Sequence, residues 1–448
     1  MTQRSTLTIL LSLILFVCTQ AQVKLGFPSE ANAHVGIYIK DLTTGKVVAQ
    51  NEAQKNLIPA SVMKAITAAS ALTKLGKDFE YTTPVYLYGT KSATNPSLWE
   101  GNLVIEACVD PTIDSEYFDD LKPFATEIIE ALKEKGISEI SGKIIIRESL
   151  KEPNCNPSWL ISDVAYDYGA GLFGFNYHDN CSKFWPATGE TKPEIPDLNI
   201  TKISTNSSID WIRGVFSNNL IVTGRNLSDK KTQKTTTMVS PAESFKCELA
   251  NKLASQGITL GNNEVNEESL RINLVSHNSP KLLPILRKMM VYSVNLYAEA
   301  MLRALAPKST LKAAIDNNKN IISEIGVSTD YNSFSDGSGL SRKNALQPKF
   351  LSDVLEAMAK SANATDYVSL FPLAGKEGTV KSLLSDTALS GKLALKSGSM
   401  NGVQCFAGYK LNSKGKPTHT VVIMINSFYC ERKTLRSAIE TFLVNTFK

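Results

Sequence analysis

The stretch Leu57-Ile58-Pro59-Ala60-Ser61-Val62-Met63-Lys64 constrains this chain more than any other. From Ile58 the residues are apolar or small, and Pro59 sets the entry to a helix. Val62, Met63, Ile66, Ala69 and Leu72 recur at three- and four-residue steps, and Gly76 ends the run. That spacing predicts an apolar-faced, buried helix of about four turns. Ser61 and Lys64 stand three residues apart on it, so they share a face and the amine reaches the hydroxyl. A helix N-terminus also presents free backbone N–H groups and a partial positive charge. A lysine held neutral by burial can take the serine proton, and the Ser61 N–H can help hold an oxyanion, as an acyl-transfer nucleophile requires. The same spacing recurs at Ser228 and Lys231, Ser309 and Lys312, and Ser413 and Lys416. The first and last of these lie in polar, turn-like stretches, and the middle one follows Pro307 at a helix boundary.

The 448 residues suffice for roughly three domains and a large core. A net charge of +5 is small for this length and reads as a solvated surface. No basic-aromatic nucleic-acid module is visible. Residues 1–21 read as an export leader: Arg4 is the positive region, Leu7 to Val17 is an apolar run too short to span a membrane, and Thr19-Gln20-Ala21 resembles a cleavage site. Val17 is a poor fit for lipid attachment at Cys18. The chain is therefore expected to be exported and periplasmic, with no membrane span. Six cysteines remain beyond the leader, at 108, 155, 181, 247, 405 and 430. Export allows disulfides among them, but the sequence does not choose a pairing. Four scattered histidines (His34, His178, His277, His419) and the lack of any C-x-x-C give no support to a zinc site or a histidine triad. No metal or cofactor is expected.

Along the chain, residues 34–41 read as a strand, Thr43 to Lys46 as a turn and Val47 to Gln50 as the return strand. From about residue 83 to 275 short strand-like runs, such as Leu103 to Ile105 and Lys143 to Ile146, alternate with polar, turn-rich segments. Helices are predicted there over Tyr117 to Lys135 and Ala242 to Gln256. Beyond Lys281 the pattern is helical again, with a break at Tyr292 to Asn295 and a helix over Leu296 to Ala306. Gly391 to Leu411 and Pro417 to Asn426 read as one long hairpin, and Glu431 to Phe447 as a closing helix.

Two further motifs carry chemistry. Ser293-Val294-Asn295 sits between two apolar helices. Its serine can relay a proton, and its amide can orient a carbonyl and bond Lys64. Taken alone it is an ordinary helix cap. Lys396-Ser397-Gly398-Ser399 lies in a strand. Lys396 can attract a substrate carboxylate, Ser397 can bond it, Gly398 permits close backbone approach, and the Ser399 N–H can serve as a second oxyanion donor.

In order, S-x-x-K on a helix, S-x-N between helices and K-[ST]-G on a strand form the motif set of penicillin-binding proteins and serine β-lactamases. Asp336-Gly337-Ser338-Gly339-Leu340-Ser341-Arg342-Lys343-Asn344, Ser293 to Glu299, Pro372 to Thr379 and the Asp110-Pro111-Thr112 turn sharpen it. With them the chain resembles the D-alanyl-D-alanine carboxypeptidase/endopeptidase family of low-molecular-mass class C penicillin-binding proteins, the peptidase S13 type. The resemblance implies an α/β (α+β) fold: a transpeptidase/β-lactamase-like domain with an antiparallel sheet flanked by helices, formed by residues 22–82 and 276–448, and a large inserted region at 83–275. It makes Ser61 the acylated nucleophile, Lys64 the base, Ser293 and Asn295 the second motif, and Lys396, Ser397 and Ser399 the carboxylate side. Ser338, Leu340 and Arg342 would border a pocket for the stem-peptide side chain, and Asp163 would meet its far amine. The chain departs from the family in carrying Ser397 for the usual Thr, Val294 for a common Asp, and Glu106 to Val109 in place of a glycine-rich turn.

The implied function is D-alanine removal from peptidoglycan stem peptides, with β-lactams as inhibitors, cross-link cleavage as a second activity and a homodimer compatible with the family. Two alternatives stand beside it. A class A β-lactamase would need an E-x-x-x-N segment, and position 195, four before Asn199, is Ile. A non-catalytic wall-binding or penicillin-sensing protein would not need the full motif set.

Overall fold

A computed structural model describes residues 23–448 except 151, 153, 154 and 264–269. The leader and Cys18 lie outside the described residues. The fold is mixed α+β, with antiparallel sheets flanked by helices. Its central sheet has five strands in the order Leu393–Met400, Val403–Leu411, Pro417–Asn426, His34–Asp41 and Val47–Asn51. The chain ends meet there, with His34 opposite Asn426 and Asp41 opposite His419.

Strand alternation gives this sheet two apolar faces. Val421, Ile423 and Ile425 join Leu435, Ile439 and Leu443 of the closing helix Arg432–Thr446. Val422 and Met424 face the other way, into a core with the helix Met63–Leu75. That helix is buried on every side from Met63 to Leu72, more completely than an apolar-faced helix. Helices Leu282–Tyr292, Asn295–Ala304 and Pro348–Lys360 pack around it.

Strand Thr82–Lys91 leaves this body and strand Arg271–Asn278 returns beside it, Thr82 opposite Asn278. They belong to a six-stranded sheet with Leu98–Glu106, backed by helices Phe124–Glu134 and Pro241–Ser255. Two three-stranded sheets complete the segment.

Two expectations are corrected. The helix expected over Tyr117 to Lys135 is a 3-10 turn, Glu116–Phe118, and a separate helix starting at Phe124. Pro123 lacks an N–H and stands at the break. The single hairpin expected over 391–426 is a three-stranded meander, because Gly402 adopts φ +71° and turns the chain at Asn401-Gly402. The six cysteines beyond the leader are unpaired. No helix among the described residues is long and apolar enough to cross a membrane.

Candidate active site

Ser61 lies in a 3-10 turn, Ala60–Val62, directly before the central helix. Ala60 holds φ at +48°, a left-handed conformation that costs a non-glycine residue about 1–3 kcal/mol. Two glycines clamp the turn. A Cβ at Gly398 would sit 2.8 Å from the Pro59 carbonyl and 2.9 Å from the Ser61 nitrogen. One at Gly339 would sit 1.9 Å from the Ala60 carbonyl. Neither position accepts a side chain without moving the nucleophile.

Lys64 is completely buried, and its Nζ meets three oxygens: Ser61 Oγ at 2.9 Å, Asn295 Oδ1 at 2.5 Å and the Ser338 carbonyl at 2.7 Å. Two of these only accept hydrogen bonds. A neutral amine satisfies both with its two N–H groups and leaves its lone pair for the Ser61 proton. Asn295 is fixed in that sense because its Nδ2 donates to the Tyr168 carbonyl at 2.7 Å. Burial pulls the Lys64 amine down to about 7, against the opposing fields of Asp336 and Glu299. Burial and the nearby Asp336 hold the Glu299 carboxyl above the usual carboxylate range.

Those two acids build the loop beneath the lysine. Asp336 accepts from the N–H groups of Gly339 (2.8 Å) and Ser341 (2.6 Å), from Asn344 Nδ2 (2.7 Å) and from Trp159 Nε1 (2.9 Å). Glu299 accepts from the N–H groups of Gly337 and Ser338. The Ser338 carbonyl is thereby aimed at Lys64.

Ser293 ends its helix with φ +65°, and extended Val294 starts the next. Its Oγ accepts from Lys396 Nζ at 2.9 Å, and the same amine donates to the Ser397 carbonyl at 2.6 Å. Lys396 is fully buried, and burial above all depresses its pKa well below the usual amine value, with any protonation of Lys64 adding to the effect.

A cleft of about 760 Å³ opens over this assembly. Ser61, Ser293, Asn295, Leu340, Arg342, Ser397, Ser399 and Asp163 all line it. Lys64 and Lys396 lie beneath its floor, and Gly398 packs behind the Ser61 nitrogen. Ser338 does not border the cleft as expected: its side chain is buried and its contribution is the carbonyl. Sequence reasoning assigned no role to Tyr168, Tyr292, Gln404, Phe406, Arg432 and Arg436 in the lining, nor to the motif residues Thr379 in the lining and Glu299 and Asp336 buried below it. Glu299 was findable, since it stands four residues after Asn295 on one helix face. Tyr168 carries no local signal, because only tertiary folding brings its carbonyl to Asn295.

A serine bonded to a buried lysine whose pKa burial lowers, beside a second serine bonded to a second lysine, on a mixed α+β fold, defines an acyl-enzyme serine hydrolase of the penicillin-binding class. Residues 21–446 match the model of the D-Ala-D-Ala carboxypeptidase 3 (S13) family, and the chain belongs to that family. It is 24% identical over 445 residues to the D-alanyl-D-alanine carboxypeptidase DacB of Haemophilus influenzae, covering 93% of this chain and 90% of that one. It is 25% identical over 432 residues to the D-alanyl-D-alanine carboxypeptidase of an Actinomadura species, covering 88% and 78%. The crystal structure of penicillin binding protein 4 from Haemophilus influenzae superposes with a TM-score of 0.77 at 22% identity, over 94% of this chain and 96% of that one.

Proposed function

We propose that this serine carboxypeptidase releases the terminal D-alanine of peptidoglycan stem peptides through an acyl-enzyme on Ser61, and that it also cleaves D-Ala-containing cross-links. The observation that carries the reading is the Lys64 amine: of its three partners Asn295 Oδ1 and the Ser338 carbonyl only accept, so the Ser61 hydroxyl is the one donor its lone pair can meet. Ser61 Oγ attacks the penultimate D-Ala carbonyl carbon as its proton passes to Lys64. The oxyanion sits on the N–H groups of Ser61 and Ser399. The C–N bond breaks, and the leaving amine takes a proton through Ser293, which Lys396 holds in place. Water then hydrolyses the Ser61 ester. Arg342, Leu340 and Asp163 border the side-chain end of the bound peptide.

The partition into a catalytic body of 22–82 and 276–448 and an insertion of 83–275 belongs to the same reading. One apolar core is drawn mainly from the first two segments, with Phe118 and Leu172 of the insertion packed into it, and a second core is drawn from Val85 to Leu274. Export to the periplasm, β-lactam acylation and homodimer formation belong to it as well.

The test is D-alanine release from a peptide ending in D-Ala-D-Ala, run beside penicillin turnover. Release by the wild type, its absence in Ser61→Ala and slow loss of bound penicillin are expected. Penicillin turnover within seconds to minutes would make the protein a β-lactamase. Absence of D-alanine release would make it a wall-binding protein.

A further inference from the structure

The reaction needs a positive group for the carboxylate of the departing residue, and Lys396 is poorly placed to supply it. Its amine is fully buried, spends its hydrogen bonds on Ser293 and the Ser397 carbonyl, and does not line the cleft. The cleft carries a different cation on that side. The strand register puts Ser399 opposite Gln404 and Ser397 opposite Phe406. The closing helix runs along these rows. Arg432 near its start donates to the Met400 carbonyl and to Gln404 Oε1, while Phe447 beyond its end lies by Lys410 and His419. Arg436, one turn after Arg432 on the same face, therefore falls on the row of Phe406 and Ser397.

Arg436 lines the cleft with Ser397 and Thr379. Its Nε is shut off from solvent and has no hydrogen-bond partner, and the side chain makes no ion pair among the described residues. Glu440, the acid one turn further on, is engaged with the Leu384 N–H instead. No acceptor or carboxylate among the described residues offsets this guanidinium at the cleft wall, so an anion entering the cleft meets an uncompensated charge. The guanidinium's planar fork matches a carboxylate in two parallel bonds. The Ser397 hydroxyl donates to Thr379 Oγ1 at 2.8 Å, which leaves the Thr379 O–H as a neutral donor in the same lining.

Resting on the carboxypeptidase reading, we infer that Arg436 is a specificity-determining residue: with Ser397 and Thr379 it forms the subsite for the carboxylate of the leaving group. Lys396 then serves Ser293 and not the carboxylate. The experiment compares acylation by an N-acyl-D-alanyl-thioglycolate, whose leaving group carries a free carboxylate, with acylation by its methyl ester. In the wild type kcat/KM favours the acid. In Arg436→Gln the ratio of acid to ester falls by about 10- to 100-fold, the scale of hydrogen bonds to a charged group. Arg436→Lys keeps the charge but not the fork, so it retains part of the ratio. A ratio unchanged in Arg436→Gln overturns the inference, and so does an equal loss with both thioesters, which would mark a merely structural role. Failure of both thioesters to acylate the wild type would instead strike the Ser61 reading, and the subsite with it.

Discussion

The proposed reaction comes down to the protonation of one amine. Lys64 works as a base only when neutral, and burial brings its pKa to about 7. Below that pH the ammonium form dominates and the free base falls about tenfold per unit. Acylation of Ser61 is therefore expected to rise with pH and level off above about 7. A pre-steady-state pH profile checks this, and a flat profile between pH 5 and 8 would exclude Lys64 as the base. Asp336 opposes the burial effect by favouring the ammonium. The Glu299 carboxyl, pushed up to about 8, is largely neutral where Lys64 titrates. Glu299→Gln, which keeps an acceptor for the Gly337 and Ser338 N–H groups, should therefore leave the acidic limb in place in the same profile.

At the level of elements, three pieces converge on the Ser61 turn: the central helix, the Asp336 to Asn344 loop and the strand Leu393–Met400. Two glycines permit that convergence. The atoms a Gly398 side chain would strike are the Pro59, Ser61 and Val62 backbone, which cannot swing aside. Gly398→Ala should therefore displace the oxyanion donors and slow acylation about 100-fold, the usual scale for an ångström of misplacement. Stopped-flow acylation with a chromogenic β-lactam measures it. The elements themselves were legible where periodicity was strong. The Met63–Leu75 helix, the His34–Asp41 and Val47–Asn51 strands and the closing helix fall within a few residues of their expected places. The closeness of Ser61 to Lys64 and the helix break at Ser293 and Asn295 were legible because i, i+3 spacing and cap chemistry are local, whereas Lys396 stood out only as part of the ordered motif set. Ser338 was misread because its role belongs to its carbonyl, and a sequence names side chains. Arg436 was invisible because its approach to the cleft depends on how a helix lies across a sheet.

At the scale of the molecule, the segment between Thr82 and Asn278 is not a passive appendage. It reaches back to the catalytic body through the Tyr168 carbonyl on Asn295, Trp159 Nε1 on Asp336, Asn156 Nδ2 on the Ser335 carbonyl and Ser115 Oγ against the Tyr297 hydroxyl. Each of these touches the site or the layer beneath it. Trp159→Phe removes one donor from a buried carboxylate and should lower stability by about 1–3 kcal/mol, read as the shift of a thermal or urea transition. Such coupling explains why the distant sequence of this segment gave no hint of Tyr168: its contribution exists only once both parts are folded. Every step of the proposed reaction passes through Ser61. The most direct test is a mass-spectrometric peptide map of the protein after a fluorescent penicillin, with Ser61→Ala alongside. One stable adduct on the peptide that holds Ser61, absent in the variant, is the predicted result. An adduct elsewhere, or one that survives Ser61→Ala, would contradict it.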